Sequence, residues 1–208
     1  GLFTHNNFIT HANESDKFEE KLLGAFATAT LGYKSYLYLN LQGRNDWTST
    51  LEKDNNSVFY PSASVSFVPT EAFTGLTNNK VLDYLKLRVG YGTSAGYPDP
   101  YRTRSVLSTS TRNFVTGTGT VINTNSVSNF FGNINLKPEI HKELEFGIDA
   151  KLFKNLIGLE VSVYNKKSTD LLVNLPLDPS TGYNETAINE ANINTNGIEL
   201  GLTVNAIQ

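Results

Sequence analysis

Along the run "ELEFGIDAKLF", apolar and polar positions alternate without a break. Leu144, Phe146, Ile148, Ala150 and Leu152 share one parity, and Glu143, Glu145, Gly147, Asp149 and Lys151 take the other. A period of two places the sets on opposite faces of an extended strand, one apolar and one wet. After "KNL" the pattern restarts. Ile157, Leu159, Val161 and Val163 alternate with Gly158, Glu160, Ser162 and Tyr164. Two long amphipathic strands with so short a connection predict an antiparallel hairpin.

The same pattern recurs upstream and at the end. "LLGAFATATLGY" and "SYLYLNLQGRND" meet near Lys34. "FYPSASVSFV" and "LDYLKLRVGYG" follow, the latter setting Leu85, Leu87 and Val89 against Lys86 and Arg88. "NGIELGLTVNA" closes the series. The chain therefore predicts about seven strands of about 9–12 residues. Globular strands run to about 5–6 residues, whereas tilted membrane strands need about 9–11. The connections sort by length. Those near Lys34 and after Phe153 are short, while roughly 95–138 is very long and roughly 172–194 long again, both polar. Long loops gathered at one end of a sheet suit a membrane barrel with a loop-bearing mouth. The charged run Glu14 to Leu23 reads as a solvated lead into the first strand rather than a helix.

Gly90, Gly92 and Gly96 fall in a spacing close to a dinucleotide-binding turn. That turn needs a helix immediately after it to hold the pyrophosphate. Here Pro98 and Pro100 follow instead, and they oppose such a helix start. The expectation is that the strand ends at a rim, where glycine eases bending. No cofactor is expected.

Composition adds little beyond this. The 208 residues carry a net charge of −3 and include no cysteine. Nothing suggests a nucleic-acid surface, and disulfides or thiolate metal sites are excluded. No apolar run reaches the length of a transmembrane helix. The chain starts "GLFTHNNF" and has no methionine, so it reads as a segment of something larger.

With the strands in place, a resemblance emerges. "LQGRNDWTSTL", "FYPSASVSFVPTEAF", "LDYLKLRVGYGTSAG", "NINLKPEIHKELEFGIDAKLF", "VSVYNKKSTDLL" and "TNGIELGL" come in an order and spacing similar to the SusC/RagA family of TonB-linked outer-membrane transporters. The resemblance runs from about Leu23 to the end. It implies an all-β fold: an antiparallel transmembrane β-barrel segment of about seven strands from a barrel of about 22, with long extracellular loops. Residues 1–208 are then part of the later half of the barrel domain, with the plug and the barrel remainder absent. The implied function is TonB-dependent import of a nutrient, glycan or peptide. The implied partners are a SusD-like surface lipoprotein, TonB through the missing N-terminal part, membrane lipid and an oligosaccharide or peptide ligand. The implied address is the bacterial outer membrane, and no enzyme activity is implied. Two other readings stay open: a barrel used as a scaffold in an envelope complex, and a soluble β-sandwich that binds glycans.

Candidate chemistry is sparse. His5 and His11 lack a third ligand, which favours a solvated loop over a metal site, and His141 suits a rim. Glu143, Glu145 and Asp149 line one strand face; in a barrel that face looks into the aqueous lumen, and no catalytic set accompanies them. Trp47, Tyr97, Tyr101 and Arg102 sit near strand ends. They are the rim candidates for substrate contact, with girdle or loop-packing roles as the plainer alternative.

Overall fold

The computed structural model describes residues 18–76 and 80–205. Seven long strands form one continuous antiparallel wall: β1 (Leu22–Tyr33), β2 (Leu37–Thr48), β3 (Ser57–Phe67), β4 (Leu82–Gly96), β8 (Glu139–Leu152), β9 (Ile157–Pro176) and β10 (Glu185–Val204). Between β4 and β8 lie β5 (Leu107–Val115) and β6 (Val121–Val127), which pair only with each other. The two-residue β7 (Phe130–Phe131) runs parallel to the start of β10. A single helical turn, α1 (Pro69–Ala72), follows β3. It is anchored where the Val68 N–H donates to the Tyr36 carbonyl and the Leu85 N–H to Thr70 Oγ1.

The register turns the alternation into two coherent faces. One row across the wall reads Leu31, Leu39, Val65, Val89, Phe146, Val163 and Ile198. The row beside it reads Thr30, Asn40, Ser64, Gly90, Glu145, Tyr164 and Gly197. The first parity is apolar and faces outward without cover: Ile198 is 77% exposed and Leu200 73%. Among the described residues the buried apolar ones are Leu51, Val68, Leu136 and Ala187, and none belongs to this band. A soluble sandwich would bury that face against a second sheet, so the sandwich reading fails. The wall is also sheared. The β1–β2 turn closes level with Leu87, whereas β4, β8, β9 and β10 continue down to the row of Leu82, Leu152, Ile157 and Val204. Stagger of this kind accompanies the strand tilt that closes a barrel.

Both lateral edges remain open among the described residues. β1 pairs with β2 alone, and on its far side β10 meets only β7, at Glu185 and Thr186. The short turns lie at one end. Lys34 and Ser35 adopt φ of 47° and 60°, and Phe153, Lys154 and Asn155 stay positive through the second turn, as tight hairpins with right-twisted strands require. Edge-to-face contacts link Tyr33, Tyr36, Phe67 and Phe73 along this end.

Two expectations need correction. The connection predicted over 172–194 shrinks to 177–184, because β9 and β10 are 20 residues each. Polar residues fill both faces from Asn165 to Asp170, and the pairing beyond is irregular: Asp170 has φ of 57° and the register shifts between Asn189, Ala191 and Ile193, which hides the strand although Leu171, Leu172, Val173 and Leu175 follow. The long span 95–138 is not bare loop; it holds β5, β6 and β7. The strand through Gly90 and Gly92 ends at Gly96, two residues before Pro98, as expected of a rim. Phe18 to Lys21 is non-helical and β1 starts at Leu22, which matches the lead-in reading; the rest of the Glu14–Leu23 run lies outside the described residues.

Candidate functional site

The centre of the polar face is an ion cluster built on a missing side chain. Arg88, Gly147, Ser162 and Glu199 stand in one register row. A Cβ at Gly147 would lie 2.2 Å from Arg88 Nε, so glycine is what lets the Arg88 side chain lie across β8. There Arg88 Nη1 meets Glu145 at 2.9 Å, and Nε and Nη2 stand 3.6 Å from Asp149 and Glu160. Arg88 Nη2 donates to Ser162 Oγ at 2.6 Å, and that hydroxyl donates to Glu145 at 3.0 Å. Lys86 holds the other oxygen of Asp149 at 3.2 Å. Two cations thus offset the charge of three carboxylates, while Arg88 Nε and Asp149 Oδ1, 3.6 Å apart, stay buried without a hydrogen bond. The sequence-selected Glu145 and Asp149 are partners in this network. Glu143, two residues up, lines a shallow hollow of about 270 Å³ with Ser62, Ser64, Gly90 and Gly92.

At the loop end the polar face is covered. Asp46 is 2% exposed and accepts hydrogen bonds from Arg44 Nε at 2.7 Å and from the Tyr60 hydroxyl. Tyr97 reaches the same carboxylate at 3.4 Å from beyond β4. Burial, followed by the charge of Asp46, pushes the Tyr97 hydroxyl well above its usual value. Above Asp46, a small core of Leu51, Leu136 and Ala187 packs with Tyr97, Phe130 and Leu172. Asn133 Nδ2 donates to the Ala187 carbonyl, Asn55 Nδ2 to the Leu136 carbonyl, and Arg104 grips Glu52 through two bonds of 2.7 and 2.8 Å. Those bonds from Arg104, with help from Thr103, lower the Glu52 carboxyl to about 2. The loops therefore fold back over the polar parity. His141, in β8 on that parity, shares a 2.8 Å hydrogen bond with Ser168, a packing role at the rim.

The four rim candidates separate. Trp47 lies on the apolar parity, in register with Leu23 and Ser57 and 40% exposed, which is girdle placement. Tyr97 is packed into the rim core. Tyr101 and Arg102 come together in a hollow of about 390 Å³ lined also by Phe18, Arg104, Val106 and Phe130. Tyr101 has φ of 65° and is 49% exposed. The Arg102 guanidinium lies 4.3 Å from the Phe130 ring centroid and 3.7 Å from the exposed Asp99. Asp46, Tyr60, Glu52 and Arg104 were not signalled by the sequence pattern; Glu52 and Arg104 stand 52 positions apart, and nothing local marks them as partners. His5 and His11 lie outside the described residues. Among the described residues no group of three or more His, Cys, Asp or Glu side chains is placed to hold a metal ion.

An open, sheared wall with an uncovered apolar outer face, a charged inner face and loops folded across one end is a membrane-barrel segment. Residues 3–206 match the family described as TonB dependent receptor-like, beta-barrel, and the chain belongs to that family. It is 30% identical over 198 residues to TonB-dependent receptor P26 of Formosa agariphila, covering 93% of this chain and 19% of that receptor. It is 29% identical over 187 residues to TonB-dependent receptor P3 of the same organism. The chain spans about a fifth of the length of these relatives. Among solved structures, that of the RagAB peptide transporter superposes with a TM-score of 0.77 at 22% identity, over 91% of this chain and 20% of that one. The siderophore receptor PirA of Pseudomonas aeruginosa superposes at 0.60 and 18% identity, over 91% of this chain and 32% of that one. At these identities the likeness to solved structures is one of fold. The family consists of outer-membrane transporters and receptors and is not a family of enzymes.

Proposed function

We propose that the whole protein imports a nutrient across the outer membrane, energised through TonB, and that a SusD-like surface lipoprotein closes over its loop end. The imported nutrient is a glycan or a peptide. The loop end, carrying β5–β7 and the 49–56 and 177–184 connections, faces the cell exterior. One observation carries this reading: the loops are not loose appendages but a bonded assembly laid over the polar face, from Tyr97 on Asp46 to Arg104 on Glu52. A rim so fixed suits capture and handover. The family membership and the similarity to the structure titled as a peptide transporter support the transport class.

The β5–β6 hairpin offers a clean test. The Ser128 N–H donates to the Val106 carbonyl at 3.0 Å, so residues 107–127 can be replaced by a short turn without moving the flanking backbone. The shortened full-length protein is expected to reach the surface at normal levels. Nutrient uptake, retention of the lipoprotein, or both should fall. Normal assembly with uptake and partner binding at their original levels contradicts the proposal.

A further inference from the structure

On the outward face of β8 to β10 the apolar band stops within one row. Phe146, Val163 and Ile198 stand together; the next outward row is Leu144, Asn165 and Asn196; the row above it pairs Lys142 with Lys167, flanked by Thr93 and Asn194. Asn165 Nδ2 donates to Asn194 at 2.8 Å and to Asn196 at 2.7 Å, forming an amide patch directly under the two lysines. Both lysines are exposed. Like charges directly opposite across a strand pair destabilise it. Among the described residues neither lysine forms an ion pair. The neighbouring Lys166 differs, because it points to the other face in register with Glu143. The outward surface thus carries two uncompensated cations at the edge of its lipid-facing band, on the loop side.

We propose that Lys142 and Lys167 bind the phosphate of an outer-leaflet glycolipid whose acyl chains lie on Leu144, Phe146, Val163 and Ile198. A phosphate monoester brings close to two negative charges and three acceptor oxygens, which matches two ammonium groups spaced as cross-strand neighbours. The apolar surface immediately below supplies the acyl contact, so headgroup and chain sites are continuous. The amide patch adds polar surface at headgroup depth. The assignment to the outer leaflet rests on the reading that the loop end lies outside the cell.

The test uses the full-length transporter in detergent, titrated with a phosphorylated diglucosamine glycolipid and followed by native mass spectrometry. Each lysine near a lipid surface supplies a factor of about five, so Lys142→Gln with Lys167→Gln should weaken binding by roughly thirtyfold. Lys142→Arg with Lys167→Arg should retain it. The dephosphorylated glycolipid should bind the unaltered protein as weakly as the phosphorylated one binds the double Gln variant. Undiminished binding by the double Gln variant overturns the proposal. Equal affinity for inorganic phosphate, or for an anionic glycerophospholipid, also overturns it, since the site would then recognise a bare ion or any acidic headgroup. Orientation is checked separately by labelling Thr118→Cys in the hairpin turn with an impermeant maleimide on intact cells. A label there supports the outer-leaflet source; its absence, with lipid binding intact, overturns that source and the orientation alone.

Discussion

Gly147 shows how one residue sets the charge pattern of the inner wall. With no side chain it leaves room for Arg88, which then holds Glu145, Asp149 and Glu160 together. Gly92 has no such duty, since its added Cβ would meet nothing closer than Ser62 Oγ at 3.9 Å. Gly147→Ala is expected to destabilise the folded barrel by about 1–3 kcal/mol through overpacking, and Gly92→Ala to stay within about 0.5 kcal/mol. Thermal unfolding of the two variants in detergent measures the contrast. At the rim, Glu52 is lowered to about 2 by Arg104. A depressed carboxyl contributes stability that is present above its unfolded value and lost as pH falls through its folded value. The Glu52–Arg104 clamp should therefore begin to weaken below about pH 4.5 and be lost near pH 2. Protease sensitivity of the 97–106 segment should rise across that window, and Glu52→Gln should raise it at neutral pH and remove the pH dependence. Neither feature was legible in the sequence. The glycine spacing at 90–96 drew attention for its likeness to a phosphate turn, while the consequential glycine sat inside a strand where only the register reveals its neighbour.

Elements were legible wherever one face is apolar. All seven long strands followed from period-two alternation, and the hairpins followed from their short connections. The pattern is lost where both faces are polar and the pairing is bulged. Asn165 to Asp170 in β9 is polar on both faces, and just above it the pairing with β10 is bulged at Asn189, Ala191 and Ile193 beside Asp170, whose φ is 57°, so strands of 20 residues looked like strands of about a dozen joined by a long loop. A bulge interrupts the period-two pattern, so the apolar residues beyond it, such as Leu172 against the rim core, do not read as a continuation of the strand. The faces themselves can be tested within β10. Leu200 belongs to the apolar parity and Glu199 to the polar one, in register with Ser162. A charge on the lipid face costs about 2–4 kcal/mol at the membrane midplane and less towards the interfaces. Leu200→Arg should reduce surface-assembled protein strongly, whereas Glu199→Arg should leave it nearly unchanged. Heat-modifiable mobility of the folded barrel on gels distinguishes the two, and equal tolerance would break the assignment of faces.

At the scale of the molecule, the wall describes a part and points to a whole. Among the described residues both edges carry unpaired backbone along most of their length, which isolated sheets do not tolerate well. Seven tilted strands are too few to close at the curvature of a wide transporter barrel, and the match to about a fifth of each Formosa receptor agrees. The central claim is that β8, like its companions, separates lipid from an aqueous interior. Because the chain has no cysteine of its own, single cysteines placed at 144, 145, 146, 148 and 149 of the full-length protein in membranes test it directly. Each is assayed for reaction with an impermeant aqueous maleimide and, after labelling with a small fluorophore, for quenching by a lipid-borne quencher. The account predicts quenching at 144, 146 and 148 and aqueous reactivity at 145 and 149. Uniform aqueous reactivity along the strand, or a period other than two, would contradict it.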